Sequence, residues 1–281
     1  MEQLVFACIA PHGWLTVPLV SGRDGDKVGA TRDALTELGR RLADARPETI
    51  VIIDPHNLQV EGTIALLDSD RLHGETGGPP NQGATAHTFS MRFAADRALN
   101  DAIAGQTRAC GLPVRRVRNA LPFVPLSLDY GSMNPLWYLG ATIMPPVQLV
   151  VASLGPGVPR AAYIEFGRAL RAAIDGTTRR IAFIGSADLG HRHAADGPYG
   201  FDPASGECDT RVIKAVEAGT LDQLLHYDGG WLEHAFTDVI EPLLILHGLT
   251  EGRGWRGDII SYEVPTYFGM LCAAYAPEQE A

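Results

Sequence analysis

Short, almost uninterrupted apolar runs alternate with helix-like segments along most of this 281-residue chain. The runs lie at about 3–9, 49–54, 62–67, 147–154 and 181–185 and are rich in Val and Ile. Strands that are buried on both faces have this composition, whereas strands with one wet face alternate apolar and polar residues. The pattern predicts an α/β fold in which helices flank a central, mainly parallel or mixed sheet.

The helix-like segments repeat apolar residues at three- and four-residue steps and lie at 30–45, 93–111, 160–175 and 231–248. Pro242 is expected to kink or divide the last of them. The Gly- and Pro-rich stretch 73–91 is typical of a loop, either a functional lid or a surface excursion. Because no linker-like stretch interrupts the chain, we expect one domain over 1–281.

Charge and composition exclude several classes of partner. The net charge is -10, from 33 acidic and 23 basic residues, so we expect neither nucleic acid nor an anionic membrane as a partner. No apolar run approaches the roughly 20 residues that span a bilayer, and no secretory signal pattern opens the chain. The cysteines lie far apart, which favours reduced thiols and a cytoplasmic location; they are Cys8, Cys110, Cys208 and Cys272.

Two apolar runs end in the same dipeptide. "LVFACIAPHGW" delivers His12 directly after Pro11, and "TIVIIDPHNL" delivers His56 after Pro55. A third run is followed by "GSADLGHRH" (185–193), which contains two further histidines. In open α/β sheets, ligands bind at the C-terminal ends of the strands, so these residues predict a shared pocket at that edge.

Two imidazoles and one carboxylate with open coordination positions suit Fe(II) and oxygen chemistry, and they can also hold catalytic zinc. Spacing alone leaves core or helix-capping histidines as the alternative. A third imidazole, His191, has a pKa range suited to acid–base catalysis. Trp14 lies close to His12 in the chain and could stack on an aromatic ring. His193 is a candidate for substrate contact or for the protein surface.

Five segments, in this order, resemble the class III extradiol ring-cleavage dioxygenases, the superfamily of the catalytic subunit of protocatechuate 4,5-dioxygenase. They are Pro11-His12, Asp54-Pro55-His56, "LDYGSMNPLWYL" (128–139), "IGSADLGH" (184–191), and "VIEPLLILHG" (239–248) with the later Val264-Pro265. Each segment is weak by itself, but together they span nearly the whole chain.

The resemblance implies that His12, His56 and Glu241 bind Fe(II), with zinc or manganese as less favoured metals. It implies that His191 is the catalytic acid or base, and that a catechol-type aromatic is opened by O2 beside its diol. Asp129 and His193 are expected near the substrate, with Asp129 orienting a turn. Apolar neighbours favour Glu241 as the carboxylate, and Glu263 is the runner-up.

One position departs from the family pattern. Tyr130 stands where many relatives carry a histidine after the aspartate. A phenol with a pKa of about 10 is a poor base at neutral pH, although it can donate a hydrogen bond. Tyr130 is nevertheless retained as a candidate catalytic residue beside His191. The alternatives are a different route for the proton, another substrate such as an aminophenol, loss of the activity, or a packing role in which Tyr130 hydrogen-bonds across the mouth of the pocket.

Two other functions remain open. A Memo-like relative would share the fold without dioxygenase activity and would bind metal or a protein partner, but such proteins place a cysteine late in the site. A zinc hydrolase would use the same ligands with a metal-bound water. The expected partners of a dioxygenase are a small aromatic molecule and O2; we expect a homo-oligomer, and a small accessory subunit is an open alternative.

Overall fold

The computed structural model describes residues 3–77, 87–121, 123–141 and 143–277. The strands in chain order are β1 (Leu4–Ala10), β2 (Thr49–Asp54), β3 (Ile64–Leu67), β4 (Arg71–Gly77), β5 (Thr88–Ala94), β6 (Val114–Val117), β7 (Leu126–Leu128), β8 (Gln148–Leu154), β9 (Ile181–Ser186), β10 (Trp255–Glu263) and β11 (Met270–Pro277). Eight of them form one sheet in the order β10-β11-β1-β9-β2-β8-β3-β6, and the other three form a small sheet in the order β5-β4-β7.

The centre of the large sheet is parallel. Strands β1, β9, β2 and β8 run in the same direction, and Val51 of β2 pairs with Phe183 on one side and Val150 on the other. The two edges contain antiparallel pairs, β11 with β1 and β3 with β8. The predicted α/β fold with a mixed sheet is therefore confirmed. Burial on both faces explains why the central strands read as continuous apolar runs.

Helices cover both faces of the sheet, and two hydrophobic clusters fill the space on its two sides. The α-helices are α1 (Gly29–Ala45), α2 (Arg97–Ala109), α3 (Tyr130–Leu139), α4 (Arg160–Asp175), α5 (Pro203–Ala218), α6 (Gly229–Ala235) and α7 (Ile240–Thr250). Short 3-10 helices lie at Trp14–Thr16, Gly22–Val28 and Leu221–His226. Within the described ranges, no helix is both long and apolar enough to cross a membrane.

Helices α4 and α7 approach each other closely through two glycines. A Cβ atom added at Gly167 would lie 2.1 Å from the carbonyl oxygen of Ile245, and one added at Gly248 would lie 2.1 Å from that of Ile164. Any larger residue at either position would push the two backbones apart. This contact fixes α7 against the core, and with it the segment that leads into α7.

The structure corrects two of our sequence-based expectations. The stretch 73–91 is not a loop throughout, because β4 and β5 occupy its two sides; residues 78–86 lie outside the described part. Strand β5 buries Phe89 and Phe93, an alternation that the Gly- and Pro-rich surroundings masked. The predicted helix over 231–248 is two helices, and the break falls before Pro242, which lies in the first turn of α7, where a missing N–H is tolerated.

All four cysteines are free thiols. Cys8, Cys208 and Cys272 are buried, as expected for small core residues, whereas Cys110 is exposed.

Candidate metal centre and aromatic cavity

The Pro-His segments meet at the C-terminal edge of the parallel strands, as the sequence predicted. Ala10, at the end of β1, pairs with Ser186, at the end of β9, and Gly185 of β9 pairs with Ile53 of β2. His12 follows β1 by two residues and His56 follows β2 by two residues. The parallel register therefore places both imidazoles at the same end of neighbouring strands.

Three side chains converge there: His12, His56 and Asp238. The two Nε2 atoms of the histidines lie 3.0 Å apart. Asp238 Oδ2 lies 3.2 Å from Nε2 of His56 and 3.4 Å from Nε2 of His12. In the described part of the chain, this is the one group of three or more His, Cys, Asp or Glu residues close enough to share an ion.

The hydrogen bonds of His12 leave its Nε2 free to bind a metal. The hydroxyl of Ser186 donates to the carbonyl oxygen of Gly131, so its oxygen accepts a hydrogen bond from Nδ1–H of His12, at 3.0 Å. A ring that carries its proton on Nδ1 presents a lone pair on Nε2. This is the arrangement by which proteins orient histidine ligands.

The spacing of the three atoms fits a bound cation. Ligand atoms at about 2.1 Å from one ion and at right angles to each other lie about 3 Å apart. Without a cation or a proton between them, two imidazole lone pairs at 3.0 Å would repel each other. Although burial lowers it, the charges of Asp188 and Asp238 raise the pKa of His12 to about 10. The site thus attracts positive charge to Nε2 of His12.

Asp188 is a second carboxylate beside this group, and the sequence analysis did not single it out. Its Oδ1 accepts a hydrogen bond from the backbone N–H of His12 at 3.2 Å, and its Oδ2 lies 3.4 Å from Nε2 of His12. Its own backbone N–H donates to Oδ1 of Asp238 at 2.7 Å. Burial raises the pKa of Asp188, whereas His12 and His56 hold the pKa of Asp238 well below its usual range against the effect of burial.

The carboxylate of the group is Asp238, whereas the sequence analysis favoured Glu241 with Glu263 as runner-up. Glu241 lies in the first turn of α7 and lines a neighbouring cavity of about 260 Å³, which shares His56, Thr237 and Asp238 with the site. Burial raises its pKa. Glu263 instead accepts hydrogen bonds from the backbone N–H and the hydroxyl of Thr31, at 2.9 and 2.6 Å. The break between α6 and α7 is what turns Asp238 toward the histidines.

A signal for Asp238 was present in the sequence. Thr237 and Asp238 belong to the residue types that precede helices, and Pro242 is a residue that helices accept in their first turn. Taken together, "TDVIEP" indicates a helix start after Asp238. The apolar periodicity of 231–248 hid this start.

A cavity of about 310 Å³ opens above the three side chains. It is lined by His12, His56, Asp188, Asp238, His191, Gly13, Thr237 and an aromatic wall of Trp14, Tyr130, Tyr199, Phe236, Tyr267 and Phe268. This volume accommodates a single aromatic ring and lies within the usual range for small-molecule sites. Of the predicted substrate contacts, Trp14 lines this cavity; Asp129 and His193 are not among its described lining residues.

His191 lines the cavity among the residues of the aromatic wall. Its ring stacks on Phe268, with centroids 5.5 Å apart. Its Nδ1–H donates to the carbonyl oxygen of Phe236 at 2.8 Å, and its backbone N–H donates to the same oxygen at 3.1 Å. Phe236 adopts a left-handed backbone conformation (φ 51°), which is uncommon for a bulky residue. These contacts leave Nε2 of His191 available to accept or donate a proton.

His193 and Asp209 secure the backbone on either side of His191. Buried Asp209 accepts a hydrogen bond from the N–H of Gly190 at 2.8 Å, and its other oxygen lies 2.9 Å from Nε2 of His193. The hydroxyl of Tyr262 donates to that same oxygen at 2.8 Å. His193 therefore supports the position of His191 from outside the cavity.

Asp129 and Tyr130 lie at the start of α3, where Asp129 caps the helix and Tyr130 is its first residue. Asp129 accepts a hydrogen bond from the N–H of Gly131 at 2.9 Å and so orients the turn, as expected. Burial, together with the nearby charge of Asp54, raises the pKa of Asp129 to about 8. The ring of Tyr130 stacks on His56 at a centroid distance of 4.8 Å, and burial raises the pKa of its phenol above the usual range. Tyr130 is thus a wall residue that is still less able to act as a base than an exposed phenol.

Comparisons with known proteins identify the fold and the family of this chain. The Clostridium acetobutylicum protein CA_C1420 is 26% identical over 260 residues, which cover 91% of this chain and 54% of that protein, so the chain spans about half the length of this relative. The solved structure of the uncharacterized protein JW3007 from Escherichia coli K12 superposes with a TM-score of 0.57 at 19% identity, over 96% of this chain and 99% of that one, and shows the same fold. Residues 6–271 match the family described as the catalytic LigB subunit of aromatic ring-opening dioxygenase. The chain therefore belongs to the LigB family of aromatic ring-opening dioxygenases.

Proposed function

We propose that this protein opens the ring of a catechol-type or aminophenol-type aromatic with O2, using Fe(II) held by His12, His56 and Asp238. The supporting observation is the position of three potential metal ligands on the floor of an aromatic-walled cavity, with a free imidazole nitrogen at its side. Two histidines and one carboxylate would leave open coordination positions, which the reaction needs for the two oxygens of the diol and for O2.

The proposed oxygen chemistry, and not the donor set, favours ferrous iron over zinc. Zinc and manganese accept the same ligand types, but zinc has no redox chemistry, so only a redox-active metal fits an oxygenase. When bound, iron would supply the path by which electron density moves from the aromatic ring to oxygen. Asp188 would help to orient His12, because its Oδ1 accepts a hydrogen bond from the backbone N–H of His12.

The protein's own groups would then hold the ring and move protons. The aromatic wall would position the substrate ring and exclude water from the floor of the cavity. His191, with its Nδ1–H committed to Phe236, would exchange protons through Nε2 with the substrate hydroxyl and the oxygen atoms. Tyr130 would act as a surface against which the ring and His56 rest, and not as a base.

The Memo-like alternative differs at the carboxylate position. A cysteine would be expected late in the site of such a protein, whereas this chain offers Asp238 there. The buried cysteines of this chain, Cys8, Cys208 and Cys272, lie in the hydrophobic clusters. The oxygen donor favours the dioxygenase.

The test is a reconstitution. Protein purified without oxygen would be loaded with Fe(II), mixed with a panel of catechols and aminophenols, and exposed to O2 while the visible band of the ring-opened product is recorded. We expect a yellow product from at least one compound and none from His56→Ala. Full iron loading with no product from any compound would contradict the proposal, and ester or amide hydrolysis by a zinc-loaded sample would support the hydrolase instead.

A further inference from the structure

The charges that line the cavity are unbalanced. Two carboxylates, Asp188 and Asp238, contribute to its floor, and none of the described lining residues is a lysine or an arginine. The undescribed stretch 78–86 reads "GPPNQGATA" and contains no charged residue. Arg192 is nearest in sequence to His191, but its Nε donates to the carbonyl of Tyr199 and its Nη1 lies 3.6 Å from Asp202.

The aromatic wall forms one packed cluster around His191. Tyr199 and Phe236 lie 4.6 Å apart between ring centroids, Tyr267 and Phe268 lie 4.8 Å apart, and Tyr199 and Tyr267 lie 5.8 Å apart. Aromatic faces carry partial negative charge, so they attract cations and offer nothing to an anion. A substituent on a bound ring that reaches this wall would meet these faces, the hydroxyls of Tyr199 and Tyr267 and the imidazole of His191, but no lysine or arginine among the described lining residues.

A carboxylate substituent would therefore find hydrogen-bond donors but no lysine or arginine to pair with among the described lining residues. The two positive charges of a divalent ion are already opposed by Asp238, by Asp188 when it is ionised, and by the ionised diol. A further anion in the cavity would lose its hydration without gaining an ion pair, which is strongly unfavourable. An uncharged substituent loses little on entering, and an ammonium group gains the aromatic faces and the negative floor.

We propose that the substrate is a catechol whose ring substituent is uncharged or carries an ammonium group, and that the cavity selects against catechols with a carboxylate substituent. This inference rests on the proposed function in one respect, namely that the diol is the reacting group. The aromatic wall and the two aspartates set the selectivity.

The test compares three ligands of similar size that differ in charge: 4-ethylcatechol, 4-(2-aminoethyl)catechol and 3,4-dihydroxyphenylacetate. Binding to the Zn(II)-loaded protein would be measured by calorimetry without oxygen, so that no turnover is needed. We expect the carboxylate to bind at least tenfold more weakly than the other two, and the ammonium compound to bind at least as tightly as the neutral one. Equal or tighter binding of the carboxylate, or no binding of any of the three, would overturn the inference.

The same measurement separates this inference from the proposed function. A protein that binds the ligands in the expected order but opens no ring after Fe(II) loading contradicts the dioxygenase proposal and leaves the selectivity standing. A protein that opens rings but prefers the carboxylate contradicts the selectivity alone.

A charge placed in the wall provides a second test. Tyr199 is partly exposed at the cavity, so Tyr199→Arg can present a guanidinium there, and we expect it to raise the ratio of carboxylate to neutral binding at least tenfold. Phe123 is 78% exposed on the side of the small sheet, and Phe123→Arg adds the same charge away from the cavity. This control should change the ratio less than twofold. An equal change in both variants would show that net charge sets the preference and would overturn the inference.

Discussion

A proton and a metal ion compete for Nε2 of His12. The imidazole is 1% exposed, and the charges of Asp188 and Asp238 outweigh the effect of burial and raise its pKa to about 10. At pH 7 the metal-free protein should therefore hold this proton in all but about one molecule in a thousand. Each metal ion that binds must displace it.

Because metal binding displaces this proton, we expect the affinity for a divalent ion to depend steeply on pH. Between pH 7 and pH 9 the apparent Kd for a divalent ion should fall about tenfold for each pH unit, hence about 100-fold over the range. The metal-free protein should respond in the opposite sense. Because the folded state holds the proton more tightly than an unfolded histidine does, His12 stabilises the fold fully below about pH 6.5, and its contribution to the free energy of unfolding should fall by about 1.4 kcal/mol per pH unit toward pH 10.

The assay is a competition between metal-free protein and a chromophoric chelator for Zn(II) at pH 7, 8 and 9, with calorimetry in two buffers to count the released protons. Asp188→Asn removes the carboxylate whose charge raises the pKa of His12 most, ahead of Asp238 and Asp54, and should lower both the slope and the proton count. Asp129, with a pKa of about 8, titrates in the same range, so Asp129→Asn is the control and should preserve the slope. A Kd that does not change with pH would refute the reasoning.

The remaining predictions concern individual side chains. Asp238→Asn should weaken metal binding by at least about 100-fold, because loss of a residue that only contacts a metal ligand already costs about 10–100-fold. Glu241→Gln should keep the metal. Metal analysis after gel filtration distinguishes the two variants, and the reverse result would reassign the carboxylate. His191→Gln should keep its iron but slow ring opening by about 100-fold to 10,000-fold, whereas His56→Ala should lose the iron. Tyr130→Phe should keep kcat within about threefold, because the raised pKa of its phenol leaves almost no phenolate at neutral pH to act as a base. A loss above about 100-fold would show that its hydroxyl takes part.

The sequence predicted the sheet and the two histidines because both depend on local patterns. Continuous Val- and Ile-rich runs occur where a strand is covered on both faces, and parallel neighbours bring their C-terminal ends to one edge. His12 and His56 follow such runs directly, so their meeting required no knowledge of distant contacts. The expectation of one domain over 1–281 stays a prediction.

The carboxylate and the small sheet depend on contacts that periodicity does not reveal. The helix that seemed continuous over 231–248 breaks because Phe236 takes a left-handed conformation, in which its carbonyl accepts two hydrogen bonds from His191. The histidine that binds this carbonyl lies 45 positions away in the chain. Glu241 was correctly expected among apolar neighbours, but burial alone does not say which cavity a side chain faces. Strand β5 carried its own alternating signal, which the surrounding glycines and prolines outweighed.

The way His191 is attached has a consequence for how this site can change over evolutionary time. Its ring and its backbone are both held by main-chain carbonyl oxygens, those of Ala235 and Phe236, which every residue type supplies. Asp238, two residues further on, would bind the metal through its side chain, which a single substitution replaces. A lineage could therefore exchange the ligand at that position, and with it the metal or the reaction, while the proton-transfer group stays where it is.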